Sequence, residues 1–146
     1  MKVISQNRRA RFDFEIIETV EAGMQLTGQE AKSCRMGHAN LSGAYVSFLS
    51  GKPILKNATI SRYTYSSKID PYDEKRDRSL LLSAHEIRKI RAKAEEKGFA
   101  VVPLEMRVGK FVKLLLGLGR GRKKIDKRQR IKEREVERKL KSGGEY

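Results

Sequence analysis

Phe99-Ala-Val-Val-Pro-Leu-Glu-Met-Arg-Val108 and Phe111-Val-Lys-Leu-Leu-Leu-Gly-Leu118 stand on either side of Gly109-Lys110. Two β-rich apolar runs across a two-residue break that starts with glycine read as an antiparallel pair of strands. Working backwards from them, Ser83-Ala-His-Glu86 is a capping box. In that motif the hydroxyl and the carboxylate three residues later each satisfy the other residue's backbone N–H. The helix it opens stops at Gly98, and Ile87, Ile90 and Ala94 recur at spacings of three and four along its core side. Before it, residues 66–78 are polar with Asp70-Pro71 as a turn signal, and read as a mobile surface loop.

The first half of the chain follows the same grammar. Residues 44–49 are β-rich, Ser50-Gly51-Lys52-Pro53 supplies a turn, and the chain returns from Ile54. Residues 58–65 read as another strand, with Tyr63 and Tyr65 on one face. Thr27-Gly-Gln-Glu30 is a second capping box, opening a short helix that stops near Gly37 and buries Ala31 and Cys34. Residues 11–22 alternate through Phe12, Phe14 and Ile16 as a half-buried strand. The phase slips at Ile16-Ile17, which predicts a bulge or strong bend. Strands outnumber helices, turns are short and no βαβ alternation occurs. The expected fold is mainly β with helices: an OB-like small antiparallel β-barrel with about two to three flanking helices.

The 146 residues carry 33 Lys or Arg against 18 Asp or Glu, a formal net charge of +15. That excess points to a polyanion, RNA or DNA. It divides between an OB-like body over residues 1–119 and a basic tail over residues 120–146. The tail holds 12 Lys or Arg against 5 Asp or Glu but only four aliphatic residues, Ile125, Ile131, Val136 and Leu140. Such a segment cannot bury a core, so it reads as poorly ordered alone. Wound as a helix, it would gather Lys123, Lys127, Arg130, Arg134, Arg138 and Lys141 within an arc of roughly 80°. The expectation is a cationic stripe that becomes helical against phosphate. The lone Cys34 excludes an internal disulfide and fits a reducing compartment. No apolar run approaches the roughly 18 residues of a membrane span, and the N-terminus has no apolar signal core. A cytoplasmic protein, monomeric when free, is expected.

Catalytic groups are not evident. His38 and His85 have no partner nearby in sequence, and no Cys/His cluster has metal spacing. Gly117-Leu-Gly-Arg-Gly121 lacks the spacing of a phosphate-binding P-loop. Its glycines read instead as releasing the chain from the last strand and letting backbone approach RNA, with Gly121 a candidate contact. No Gly-Gly-Gln tripeptide occurs, as a peptidyl-tRNA hydrolase would need. The reading is of a binding protein without enzyme activity, metal or cofactor.

Several motifs in order carry a resemblance over nearly the whole chain. They are Asn7-Arg-Arg-Ala-Arg11, Glu21-Ala-Gly23, Leu26-Thr-Gly-Gln-Glu-Ala-Lys-Ser33, Gly37-His-Ala-Asn-Leu-Ser42, Leu80-Leu-Leu82, Gly117-Leu-Gly-Arg-Gly121, and Asp126-Lys-Arg128 followed by Ile131-Lys-Glu-Arg134. Together they resemble the SsrA-binding protein (small protein B) family of bacterial trans-translation. The resemblance implies an OB-like barrel that binds the tRNA-like domain of transfer-messenger RNA and brings it to stalled ribosomes. The tail would then occupy the vacant decoding centre and mRNA channel. It further implies that Glu21, Leu81 and Lys113 contact the RNA, with Asn7, Arg8, Arg9, Arg35 and Asn40 as neighbours. In the tail, Asp126, Lys127 and Arg128 match the segment used at the decoding centre, among the ribosome-facing Lys123, Lys124, Arg130, Arg134, Arg138 and Lys141.

From the residues alone, Leu81 equally fits a core position, Lys113 an exposed strand lysine and Glu21 a solvated turn residue. A carboxylate at an RNA surface would accept from base or ribose donors, giving specificity rather than attraction. The chain departs from the family pattern in two places. Ile125 stands where an aromatic or histidine often precedes Asp-Lys-Arg, and His38 where lysine is common. A different class also fits the composition: a constitutive structural ribosomal protein with an OB-like body and a basic extension.

Overall fold

The computed structural model describes residues 2–66 and 71–122. The tail from residue 123 on, with its expected helical stripe, and Asp70 of the expected turn lie outside them. Among the described residues the chain forms β1 (Lys2–Gln6), α1 (Arg8–Asp13), β2 (Phe14–Met24), α2 (Gly28–Arg35), β3 (Ala39–Asn40) and β4 (Tyr45–Ser47). It continues through β5 (Ile54–Lys56), β6 (Thr59–Ile60), β7 (Arg78–Leu81), α3 (Ala84–Ala94), β8 (Phe99–Val108) and β9 (Val112–Gly121).

The expected hairpin is the pair β8–β9, and β2 lies along the other side of β9. These three long strands form the centre of a seven-stranded antiparallel sheet in the order β1-β8-β9-β2-β7-β5-β4, beside a two-stranded sheet of β3 and β6. The large sheet curls, so β4 lies against β8 and β1 against β3. Among the described residues strand pairing does not run unbroken around the curl, so the barrel they form is partial. Inside it, Ala22, Leu41, Leu55, Ile60, Met106, Leu114 and Leu116 are buried together. Cys34 joins them, its Sγ 3.8 Å from Met106 Sδ. Burial pushes that thiol up to about 12, so it stays protonated and inert.

Both capping boxes are present, with Thr27 and Glu30 on α2 and Ser83 and Glu86 on α3 satisfying each other reciprocally. Gly37 and Gly98 follow the helices at φ 80° and 86°, the left-handed conformation that favours glycine. Ile90 is the buried anchor of α3, with Ile87 and Ala94 half-buried beside it. On α2, Cys34 is buried as expected, whereas Ala31 is half-buried.

Four expectations need correcting. The strand expected from residue 11 begins at Phe14, because Asn7 caps the helix α1, accepting from Ala10 N–H through Oδ1. The predicted slip is present as a register shift between Ile16 and Glu18. The strand expected over residues 58–65 is only β6, after which the chain turns. The described part of the polar loop, residues 71–77, is tied down. Tyr72 donates its hydroxyl to Ile60 O at 2.6 Å, and Ile60 N–H donates to Glu74 O at 2.9 Å.

The fourth correction concerns the glycines after Leu116. They do not release the chain: Gly117 and Gly119 sit inside β9, paired on both sides. A Cβ on Gly117 would stand 2.7 Å from Leu104 Cδ1, and one on Gly119 2.8 Å from Phe14 Cβ. Side chains from neighbouring strands fill the space above both glycines. Gly121 ends the strand, donating its N–H to Gly98 O at 2.9 Å.

Candidate nucleic-acid interface

In a sheet, residues paired across neighbouring strands project to the same side, and the side alternates along each strand. Ala22, Leu114 and Met106 are paired across β2, β9 and β8 and point into the core. The adjoining row therefore points outward. It runs Leu81 on β7, Gly23 on β2, Lys113 on β9, Arg107 on β8 and Val3 on β1. The next outward row holds Glu21, Leu115 and Glu105.

The outer face is treated differently at its two ends. Near Gly117 and Gly119 it is filled by Leu104, Ile16 and Phe14, and α1 packs against β2 and β8. Near Gly23 it is more open, with Gly23, Lys113 and Arg107 each half-buried. Leu81 is 58% exposed there, which rules out the core position its sequence equally allowed. Gly23 keeps the row low: a Cβ there would come within 3.2 Å of Leu81 Cβ.

Charge is arranged along this open end. Arg107 donates from Nε to Glu105 at 3.0 Å and stands 3.7 Å from Glu21, while Arg11 reaches Glu105 at 3.8 Å. Glu21 is thus on a strand rather than in a turn, and is half exposed beside a guanidinium. At the β8–β9 turn, Arg35 of α2 donates to Gly109 O at 2.9 Å and Lys110 O at 2.8 Å, holding the turn against the helix. The turn presents Phe111, 61% exposed, with the ammonium groups of Lys110 and Lys113 each 5.8 Å from its ring centre. Phe111, Lys113, Leu81, Gly23, Leu26 and Arg35 line a shallow hollow of about 410 Å³. A ring, two ammonium groups and an exposed leucine around a hollow offer a base something to stack on and its phosphates something to pair with.

Next to Ala31, which also lines the hollow, Glu30 is 1% exposed and joins α2 to β7. Its carboxylate accepts from Arg78 Nε at 2.9 Å, from Arg76 and from Thr27 N–H at 2.9 Å. Arg78, wholly buried, also donates to Ala58 O and Glu74 O. Burial alone would raise the carboxyl; hydrogen bonds from Arg76, Thr27 and Arg78, with the Arg78 charge, outweigh it and bring Glu30 down to about 2. The cluster fixes β7, and so Leu81, against the helix that carries Arg35.

Of the candidates read from sequence, the structure gathers Glu21, Leu81, Lys113 and Arg35 on this open end. It places the others elsewhere. Asn7 caps α1 and donates to Pro103 O at 2.9 Å, and Arg9 pairs with Asp13 at 3.0 Å over the Phe12 ring. Arg8 is exposed on the same helix. Asn40, on the two-stranded sheet, accepts from Ser42 N–H at 2.8 Å, and Gly121 lies at the covered end opposite Phe14. The tail candidates Lys123, Lys124, Asp126, Lys127, Arg128, Arg130, Arg134, Arg138 and Lys141 are outside the described residues, as is Ile125. Sequence does not mark Arg107, Lys110 and Phe111: the pairing of Arg107 with Lys113 places the first, and the turn that sets two ammonium groups beside an exposed ring places the others.

No group of three His, Cys, Asp or Glu among the described residues is placed to hold a metal ion, and no helix there is long and apolar enough to cross a membrane. A curled antiparallel sheet with flanking helices and one partly apolar, cationic end defines a class, the small OB-like β-barrel proteins. The chain belongs to the SmpB family, whose model matches residues 4–144. It is 46% identical to an SsrA-binding protein of Synechococcus sp. (strain JA-2-3B'a(2-13)) over 141 residues, covering 96% of this chain and 92% of the relative. With the SsrA-binding protein of Coprothermobacter proteolyticus it shares 44% identity over 146 residues, covering 99% and 97%. A chain solved in work on tmRNA-SmpB and the center of the bacterial ribosome superposes with a TM-score of 0.68 at 42% identity, covering 85% of this chain and 87% of that one.

Proposed function

We propose that this chain is a trans-translation factor that binds the tRNA-like domain of transfer-messenger RNA and delivers it to stalled ribosomes. The observation that carries the reading is the outward row of Leu81, Gly23, Lys113 and Arg107, exposed at Leu81 and partly exposed along the rest, beside Phe111, in a chain whose relatives are named SsrA-binding proteins. Those relatives favour this reading over a constitutive ribosomal component. Lys113 and Arg107 meet phosphate, Phe111 and Leu81 meet a base or sugar, and Glu21 accepts from a base or ribose donor. The protein acts by binding, without catalysis, and its partners imply a cytoplasmic location.

The part of the tail beyond the sheet, residues 123–146, has a separate task in this proposal. Its 10 cationic side chains follow the phosphate-lined decoding centre and mRNA channel when no mRNA fills them, with Asp126, Lys127 and Arg128 at the decoding centre. Apolar contact by Ile125 replaces stacking there. β9 runs to Gly121 and Arg122 N–H donates to Asp13 O at 2.9 Å, so the sheet needs the chain through Arg122. A chain ending after Arg122 is the sound test. It should bind the tRNA-like domain nearly as well as the whole chain, yet fail to support tagging of stalled peptides.

Gel-shift titration of the whole chain against the tRNA-like domain and an ordinary tRNA, at several salt concentrations, tests the reading. Tighter binding of the tRNA-like domain supports it. Equal binding of the two would overturn it.

A further inference from the structure

A second aromatic and cationic cluster lies beside α2. Residues 63–66 form a turn closed twice on Tyr63 O, by Ser66 N–H at 3.0 Å and by Ser66 Oγ at 2.7 Å. The turn holds Tyr65 78% exposed, its ring edge-on to Tyr63 with centres 5.5 Å apart. Lys32 of α2 places its ammonium 5.6 Å from the Tyr63 ring centre. The segment is fastened to the same helix, since Ser33 Oγ donates to Ser61 O at 2.6 Å and Ser61 N–H to His38 O at 3.0 Å. Apart from its edge contact with Tyr63, a large ring held in water on a fixed turn buries little on folding, whereas it presents a ready stacking surface at little entropic cost.

α2 joins this cluster to the open row. Lys32 and Arg35 are three residues apart and so neighbours on one helix face. Lys32 reaches the tyrosines and Arg35 the Gly109–Lys110 turn, next to Phe111. We infer that the RNA surface continues over α2, and that Tyr65, backed by Tyr63 and Lys32, stacks an unpaired base of the same RNA while Lys32 meets an adjacent phosphate. The inference rests on the proposed RNA reading and extends it to a second contact. RNA fits better than a protein partner: the cluster repeats the chemistry at Phe111, a ring with ammonium groups beside it, on a chain of net charge +15. Stacking is tolerant of base identity, so this contact would add affinity while the row around Glu21 supplies discrimination.

The test is titration of the tRNA-like domain of transfer-messenger RNA with full-length Tyr65→Ala, Tyr65→Trp and Lys32→Gln, each against the wild type across a salt series. Tyr65→Ala should weaken binding about five- to 100-fold with the salt slope unchanged, the signature of lost stacking. Tyr65→Trp, which keeps a ring, should bind within about threefold of wild type, and Lys32→Gln should lower the salt slope by about 1. Unchanged binding by Tyr65→Ala, while Lys113→Ala still weakens it, overturns this inference and leaves the proposed function standing. A wild type that does not prefer the tRNA-like domain over ordinary tRNA overturns both. Tyr65 and Lys32 are exposed, so neither change threatens the fold.

Discussion

Glu30 and Glu21 both stand beside arginine, in opposite surroundings. Glu30 is 1% exposed, and its carboxylate takes donors from Arg76, Arg78 and a backbone N–H. The Glu21 side chain is 42% exposed and stands 3.7 Å from a single guanidinium group, Arg107. The first is enclosed and fully matched, so any change in it leaves a buried charge without its partner. The second shares its arginine with Glu105 in water, where an ion pair is worth about 0–1 kcal/mol and can be exchanged for a ligand at small cost. Burial therefore separates the charges that hold the sheet from those free to recognise something. The same division governs the outer face of β2, β8 and β9, filled around Gly117 and Gly119 and open around Gly23.

Glu30→Ala should produce the largest effect, a loss of about 3–5 kcal/mol in denaturant unfolding, because it strands Arg78 in the core. A loss under about 1 kcal/mol would show that the cluster does not hold the sheet. The Glu30 carboxyl is lowered in the folded state, so its contribution is present above the unfolded value of about 4.3. It should fade as pH falls toward about 2. Acid unfolding of Glu30→Gln should lack that component. Next in size, Gly119→Ala should cost about 1–3 kcal/mol, since its Cβ would meet Phe14 Cβ at 2.8 Å. A neutral result would mean the covered end is loosely packed. Glu21→Ala should leave stability within about 0.5 kcal/mol. It should instead reduce the preference for the tRNA-like domain over ordinary tRNA, measured by competition binding.

What the sequence disclosed follows from how local each signal is. Two capping boxes and the Gly109-Lys110 break depend on residues within a few positions, so α2, α3 and the β8–β9 hairpin were legible. α1 was not, because Phe12, Phe14 and Ile16 keep strand alternation through its last turn and its Asn7 cap lacks a Glu or Gln three residues on. Glu30 looked like an ordinary capping residue; its partners are 46 and 48 residues away, with no local trace. Gly117 and Gly119 carry no side chain to betray that Leu104, Ile16 and Phe14 fill the space above them. At the site, the family resemblance marked Glu21, Leu81 and Lys113, but motif and spacing could not decide whether Leu81 faces core or solvent. Arg107 is set beside Lys113 by strand register, and Phe111 by the fold of the turn, neither of which has a local signal.

The central claim is that the open end of the sheet is where RNA binds. Its most direct test is the salt dependence of binding to the tRNA-like domain for wild type and Lys113→Ala, with unfolding followed in parallel. Lys113→Ala should weaken binding by about 1.5–3 kcal/mol and lower the salt slope by about 1, with stability within about 0.5 kcal/mol of wild type. Wild-type affinity and slope in a stably folded Lys113→Ala chain would contradict the account.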